Sequence, residues 1–233
     1  MKPTTLTFAF AQTIPVMLGY IFLGTAFGLL LHDAGYHFLW AFLISLTVYA
    51  GSMQFVIVTL FTGGASLLYT AMMTLFVNGR HIFYGLSLVE RYKKTGIFYP
   101  YLIFSLTDET YSLLCRTKIP EHLSEKKVMF SISLMNHCYW IFGSVLGALV
   151  GQMITFNTTG IEFSMTALFT AIVVEQFQEK HNRIPIYIGA LFSIIFLLIL
   201  GPDRFIIPTL LLSVLMILLL NRFRFLDREV QND

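Results

Sequence analysis

Three charged residues lie inside apolar stretches of this chain, and their types suit the handling of a carboxylate and a proton. Arg80 sits within Leu75-Phe76-Val77-Asn78-Gly79-Arg80-His81-Ile82-Phe83-Tyr84-Gly85, and Asp108 and Glu109 interrupt Leu106-Thr107-Asp108-Glu109-Thr110-Tyr111. A charge held at bilayer depth costs roughly 2.5–3.5 kcal/mol on insertion scales, so it calls for a partner, a water-filled cavity, or both. Arg80 can grip a carboxylate through two parallel hydrogen bonds. Two other roles compete: neutralising Asp108 or Glu109 as a structural pair, or snorkelling toward Glu90-Arg91, about 15 Å further along a helix. Adjacent acids on a helix point about 100° apart. One of the two is therefore expected to pair with Arg80, leaving the other free to load and release a proton.

The second polar insertion is Val48-Tyr49-Ala50-Gly51-Ser52-Met53-Gln54-Phe55. Its Ala-Gly-Ser step weakens a helix, and an unwound turn at depth is tolerated only against protein or water. A half-helix starting at Gly51 and Ser52 would turn its amides and positive end toward an anion such as a carboxylate. Gln54 adds an acceptor and two donors, and Asn78 brings a similar set to the Arg80 segment. The competing reading is close Gly-Ser packing, with Gln54 bonded to a neighbouring helix. His81, directly beside Arg80, is a poor candidate for a proton relay, because the arginine opposes its protonation.

These residues must be positioned by membrane helices. Of 233 residues, 56% are hydrophobic and only 12% charged, about half the charge of a soluble domain. Apolar segments recur over 5–31, 38–61, 65–89, 97–115, 129–153, 163–177, 184–201 and 205–221, most of them long enough to cross a core of about 30 Å. The fold class expected is an all-α polytopic membrane protein of seven to eight transmembrane or re-entrant helices. A single integral membrane domain fills 1–233, embedded in the lipid bilayer. Lys2 with Ala9-Phe10-Ala11 superficially suggests a cleaved leader, but the apolar run continues past it and reads as the first span.

Glycine ladders mark the first and fifth segments, Gly24-xxx-Gly28 and Gly143-xxx-Gly147-xxx-Gly151, the spacing of closely packed membrane helices. Their similarity suggests an internal repeat with halves 5–89 and 129–201. Loop charges favour a topology in which segment four enters and leaves on one side and the N-terminus lies outside. That arrangement turns segments one and five in opposite directions, as in an inverted repeat. Glu175, near Lys180 and His181, reads as interfacial, and Glu162 and Asp203 as loop or cap residues.

Several classes are excluded. The net charge of +2 comes from segment ends and speaks to topology, not to nucleic acid. Cys115 and Cys138 lack metal-ligand spacing, and the six histidines form no ligand set. There is no nucleotide loop, haem ligand pair or hydrolase nucleophile with its base, so neither an enzyme nor a cofactor is expected.

At these residues the chain resembles the AzlC family of branched-chain amino acid exporter subunits. The resemblance rests on Phe27-Gly28, Ser45, Tyr49-Ala50-Gly51-Ser52-Met53-Gln54-Phe55, Val77-Asn78-Gly79-Arg80-His81 with Tyr84-Gly85, Thr107-Asp108-Glu109-Thr110-Tyr111, Trp140 and Gly160-Ile161-Glu162-Phe163. Gly79 departs from the pattern, where a bulky apolar residue is more usual. The resemblance implies a bacterial inner-membrane secondary exporter of leucine, isoleucine, valine and similar amino acids, driven by the proton motive force. It also implies a small four-span AzlD-like partner subunit. In this reading Gly51, Ser52, Gln54, Asn78 and Arg80 bind the substrate, and Asp108 or Glu109 takes the coupling proton. The alternatives are a membrane scaffold whose charges only lock helices together, and a channel.

Overall fold

The computed structural model describes residues 3–153, 183–201 and 205–230, with isolated positions between 163 and 178. Segment 163–177 and residues Glu162, Glu175 and Asp203 lie wholly or largely outside the described residues. The chain divides into two compact units, Met1–Thr166 and Ala167–Asp233. It is an all-α, multi-pass membrane protein. Three described helices, Thr5–Asp33, Glu125–Met153 and Arg183–Leu200, are long and apolar enough to cross a membrane.

The frame of the first unit is a pair of 29-residue helices, α1 (Thr5–Asp33) and α8 (Glu125–Met153). Thr4 caps α1 by accepting the Thr7 N–H. Glycine lets the two backbones touch. A Cβ on Gly24 would lie 3.0 Å from Ser144 N, and one on Gly143 would lie 2.9 Å from the carbonyls of Tyr20 and Ile21. Gly28 and Gly147 face backbone more closely still. The register rises together along both helices, from Thr13 against Tyr139 (3.2 Å between hydroxyls) to His32 against Gly151. The two helices are therefore parallel. This corrects the expectation that segments one and five run in opposite directions. Their matching glycines mesh with each other, which accounts for the similarity without inversion.

The cause of the parallel course is segment two, which runs in and returns to the end it left. α2 (Phe38–Thr47) runs inward and α3 (Gly51–Thr62) runs back. The return is fixed by Tyr36 beside Phe61, with ring centroids 5.6 Å apart, and by Gln54 Nε2 donating to Ser45 Oγ at 3.1 Å. Each limb has 10–12 residues, or about 15–18 Å of helix, half a bilayer core. Such a pair has the dimensions of a re-entrant hairpin, opening at the end where α1 finishes.

From that end α4 (Leu67–Asn78) and α5 (Arg80–Lys93) cross toward the end where α1 begins, interrupted only at Gly79. There Arg91 Nε donates to Glu125 Oε1 at the start of α8, and Arg91 Nη1 donates to the Leu114 carbonyl at 3.0 Å. A second hairpin follows, opening at this opposite end. A 3-10 turn (Gly96–Phe98) and α6 (Tyr99–Phe104) run inward along α8, with Phe98 on Phe130 (4.5 Å) and Phe104 on His137 (5.8 Å). α7 (Asp108–Arg116) then returns beside α5, with Tyr84 stacked on Tyr111 at 4.6 Å. Segment four therefore enters and leaves at one end, as the loop charges suggest. Ala9, Tyr92, Leu102, Leu114, Val128 and Ile132 form the apolar core at its mouth. The tips of the opposed hairpins meet at Tyr49 and Phe104, 6.5 Å apart.

In the second unit, α9 (Arg183–Leu200) and α10 (Ile206–Val230) are joined through Gly201, whose φ of 76° suits glycine. Thr209 Oγ1 donates to the Phe192 carbonyl.

Candidate functional site

The three helix breaks converge at mid-depth. Ser52 stands at the start of α3, Arg80 at the start of α5, and Asp108 and Glu109 in the first turn of α7. Arg80 Nη1 pairs with Asp108 Oδ2 at 2.8 Å, and Arg80 Nη2 donates to Ser52 Oγ. One guanidinium thus links both hairpins to the break in the crossing helix between them. The N-termini of α3, α5 and α7 add partial positive charge at the same place, while the two acids oppose it. Arg80 and Asp108 each keep 28% of their side-chain surface open among the described residues.

Local sequence explains each break. At the first tip, Tyr49 adopts φ 41°, a left-handed conformation that is strained for a bulky residue. The chain turns there, and Ala50 begins α3 with no side-chain cap. Ordinary helix geometry would have Tyr49 N–H bond the Ser45 carbonyl; it points to Ile44 O instead, at 3.4 Å. His137 Nε2 takes over the Ser45 carbonyl at 3.1 Å, and its Nδ1 meets the Tyr101 hydroxyl at 3.0 Å. A carbonyl only accepts, so Nε2 carries the proton. Its ring stacks on Tyr49 at 4.1 Å, bracing the strained turn.

At Gly79 the ladder shifts to a three-residue turn, Ile82 N–H donating to Gly79 O at 3.1 Å. A Cβ there would press the Leu75 carbonyl at 2.9 Å. His81 Nδ1 donates to the Asn78 carbonyl at 3.1 Å, and its Nε2 lies 3.7 Å from Asp108 Oδ1. Asn78 Oδ1 is buried without a hydrogen-bond partner among the described residues. At the second tip, Thr107 caps α7 by accepting Thr110 N–H.

The two acids have different surroundings. Asp108 is held by Arg80, whereas Glu109 Oε2 accepts from the Tyr20 hydroxyl of α1 at 2.8 Å. Glu109 keeps exposed surface although it lies on the first turn of α7 beside the buried Tyr20 and Thr107. Behind it the hydroxyls continue: Tyr20 Oη to Thr107 Oγ1 at 2.6 Å, Thr107 Oγ1 to Thr110 Oγ1 at 3.0 Å, and Asn136 Nδ2 donating to Thr110 Oγ1 at 3.0 Å.

Of the residues expected to contact a substrate, Ser52 and Arg80 are brought together and Asn78 lies at the same break. Gln54 is placed otherwise. It is fully buried, donates to Ser45 and accepts from Trp140 Nε1 at 2.8 Å. Gly51 packs on the Trp140 ring, where a Cβ would sit 3.3 Å from Cη2. Both brace the first tip. Tyr20, Tyr49 as a strained turn, and His137 were not legible as site residues. Tyr20 lies four residues before Gly24 on the packed face of α1, and that spacing is the one signal available.

A family model described as AzlC protein matches residues 15–154, covering nearly all of α1 through α8 and every residue of this site. An uncharacterized membrane protein of Helicobacter pylori is 42% identical over 214 residues, covering 92% of this chain and 94% of its own. The branched-chain amino acid transport protein AzlC of Bacillus subtilis is 37% identical over 203 residues, covering 87% and 80%. An uncharacterized membrane protein of Haemophilus influenzae is 38% identical over 207 residues, covering 87% and 83%. No solved structure matches. The chain belongs to the AzlC family of membrane transporters, as a multi-pass protein of the bacterial inner membrane.

Proposed function

We propose that this chain is the large subunit of a two-component secondary exporter of branched-chain amino acids, driven by the proton motive force. The observation that carries the reading is the Ser52–Arg80–Asp108 junction between the hairpin tips, with Glu109 held apart from it. The substrate carboxylate competes with Asp108 for Arg80 and takes hydrogen bonds from Ser52 and the free amides of α3. Asn78 Oδ1, unpartnered and buried, is an acceptor for the substrate ammonium. Gln54 and Gly51 act by holding the first tip. Glu109, which has no cation bonded to it among the described residues, takes the coupling proton.

The substrate class follows the name of the Bacillus subtilis relative, and the small AzlD-like partner follows the family resemblance. Orientation follows loop charge. Arg91, Lys93, Lys94, Arg116, Lys118, Lys126 and Lys127 lie at the end where α1 begins, which the positive-inside rule assigns to the cytoplasm. The N-terminus is then inside, the reverse of the orientation that the loop charges favour for a chain whose segment two crosses.

The test is leucine efflux from dipeptide-loaded cells, with and without this chain and with and without the small partner. A partner-dependent rise that a protonophore abolishes supports the exporter. No rise with both proteins present in the membrane rejects the branched-chain assignment. Arg80→Gln separates transporter from scaffold: a transporter loses flux at largely unchanged abundance, whereas a scaffold loses partner binding.

A further inference from the structure

The hydroxyl chain behind Glu109 has a property that none of its members has alone. Each hydroxyl owns one proton, and Glu109, Tyr20, Thr107 and Thr110 are linked in series at 2.8, 2.6 and 3.0 Å. With Glu109 ionised, three hydroxyl protons serve three links and one order satisfies them all; a proton on Glu109 Oε2 permits the reverse order. In the ionised order Tyr20 donates to the carboxylate and Thr107 must donate to Tyr20, so Thr110 has to turn and donate to Thr107, the reverse of the direction in which that pair is placed. With Glu109 protonated, the carboxyl donates to Tyr20, Tyr20 to Thr107, and Thr107 to Thr110. In both orders Thr107 Oγ1 still accepts Thr110 N–H and Thr110 Oγ1 still accepts Asn136 Nδ2. In the second order, however, Thr110 must send its own proton elsewhere.

The acceptor at hand is Tyr49. Its hydroxyl is buried close to those of Tyr20 and Thr110 but makes no hydrogen bond of normal geometry among the described residues. Tyr49 is also the left-handed residue at the tip of the other hairpin. We propose that Tyr20, Thr107 and Thr110 form a relay that reports the protonation of Glu109, on the second hairpin, to Tyr49 at the tip of the first. No proton leaves the chain; every hydroxyl swaps donor for acceptor, and the Thr110 proton turns from Thr107 to Tyr49. Tyr20 is a positioning residue here, since it acts through Glu109. The relay couples proton binding to the strained turn that starts α3 and therefore to Ser52 and Arg80. The other titratable or charged groups near Glu109 are Asp108 on its own helix, Arg80, His81 and Tyr84 on α5, and Tyr49.

The inference rests on Glu109 being the proton-binding acid, but its test needs no transport. Full-length protein in lipid is titrated while infrared difference spectra are recorded. The Glu109 carboxyl signal is the one lost in Glu109→Gln, and the Tyr49 signal is the one lost in Tyr49→Phe. In the unmodified protein, protonating Glu109 shifts the Tyr49 signal. Tyr20→Phe and Thr107→Val each keep the Glu109 titration and lose the Tyr49 response. Thr107→Ser, which keeps the cap and the hydroxyl, restores it. A Tyr49 response that survives Tyr20→Phe overturns the relay, as does a Glu109 that titrates with no Tyr49 response at all. A Glu109 that never titrates overturns both the relay and its role as the coupling acid, while flux alone decides the exporter reading.

Discussion

Arg80 Nη1 lies 2.8 Å from Asp108 Oδ2, so the break in a crossing helix is tied to the tip of a re-entrant one. Removing either partner costs the other its shortest ion-pair contact. Arg80→Gln and Asp108→Asn should each lower thermal stability by roughly 1.5–3 kcal/mol, the range for hydrogen bonds to charged groups. The double substitution should regain much of that loss and still show no flux. Melting temperature in detergent and flux in vesicles, measured on the same preparations, check this. Full flux in the double variant would remove the pair from the transport reaction.

The hairpins predict a labelling pattern unlike that of a chain that crosses at every apolar segment. Cys115 and Cys138 are exposed and are replaced first. Single cysteines at His37 and Ala65, the mouth of the first hairpin, should react with an impermeant maleimide from one face. Those at Lys94 and Lys118, the mouth of the second, should react from the other. If His37 and Ala65 label from opposite faces, segment two crosses the membrane.

Backbone contact between α1 and α8 makes glycine size decisive. A Cβ on Gly147 meets the Thr25 backbone, whereas Gly19 has nothing within 4 Å. Gly147→Ala should destabilise by about 1–3 kcal/mol, the usual cost of overpacking, and lower the folded yield. Gly19→Ala should match the parent. Equal yields of both variants would show that the helices separate without cost.

Gln54 spends its amide on Ser45 and Trp140. Gln54→Leu strands the indole N–H and should lower stability by about 1–3 kcal/mol, with KM for substrate changing less than maximal flux. A selective rise in KM at unchanged stability would return Gln54 to direct substrate contact.

His137 holds the Ser45 carbonyl left open by the turn at Tyr49. His137→Phe keeps a ring to stack but loses the donor. Amide hydrogen exchange should then rise at Val48–Ser52 and stay near parental levels along α8. Unchanged protection at the tip would show that the carbonyl finds another donor.

The charged residues and their pairing were legible because an ion inside an apolar run has few physical solutions, and the Ala-Gly-Ser step marked a true break. What hydropathy concealed was direction. Residues 38–61 are long enough to cross once, and equally long enough to enter and return as limbs of 10 and 12 residues. The deciding contact, Tyr36 against Phe61, joins positions 25 apart that no local pattern relates. The glycine ladders were legible as packing surfaces, but their likeness came from mutual contact between α1 and α8. His137 and Tyr20 escaped notice because each serves a backbone or acid supplied by a different helix.

Opposed hairpins also shape the electric field. Membrane voltage drops where water is absent, and water in both mouths would narrow the dry partition to the region where Tyr49 meets Phe104. If water fills both mouths, most of the potential, worth about 2.3 kcal/mol per elementary charge per 100 mV, falls across that thin septum. A few ångströms of movement at Arg80 or Glu109 would then be as electrogenic as carrying a charge across the whole bilayer.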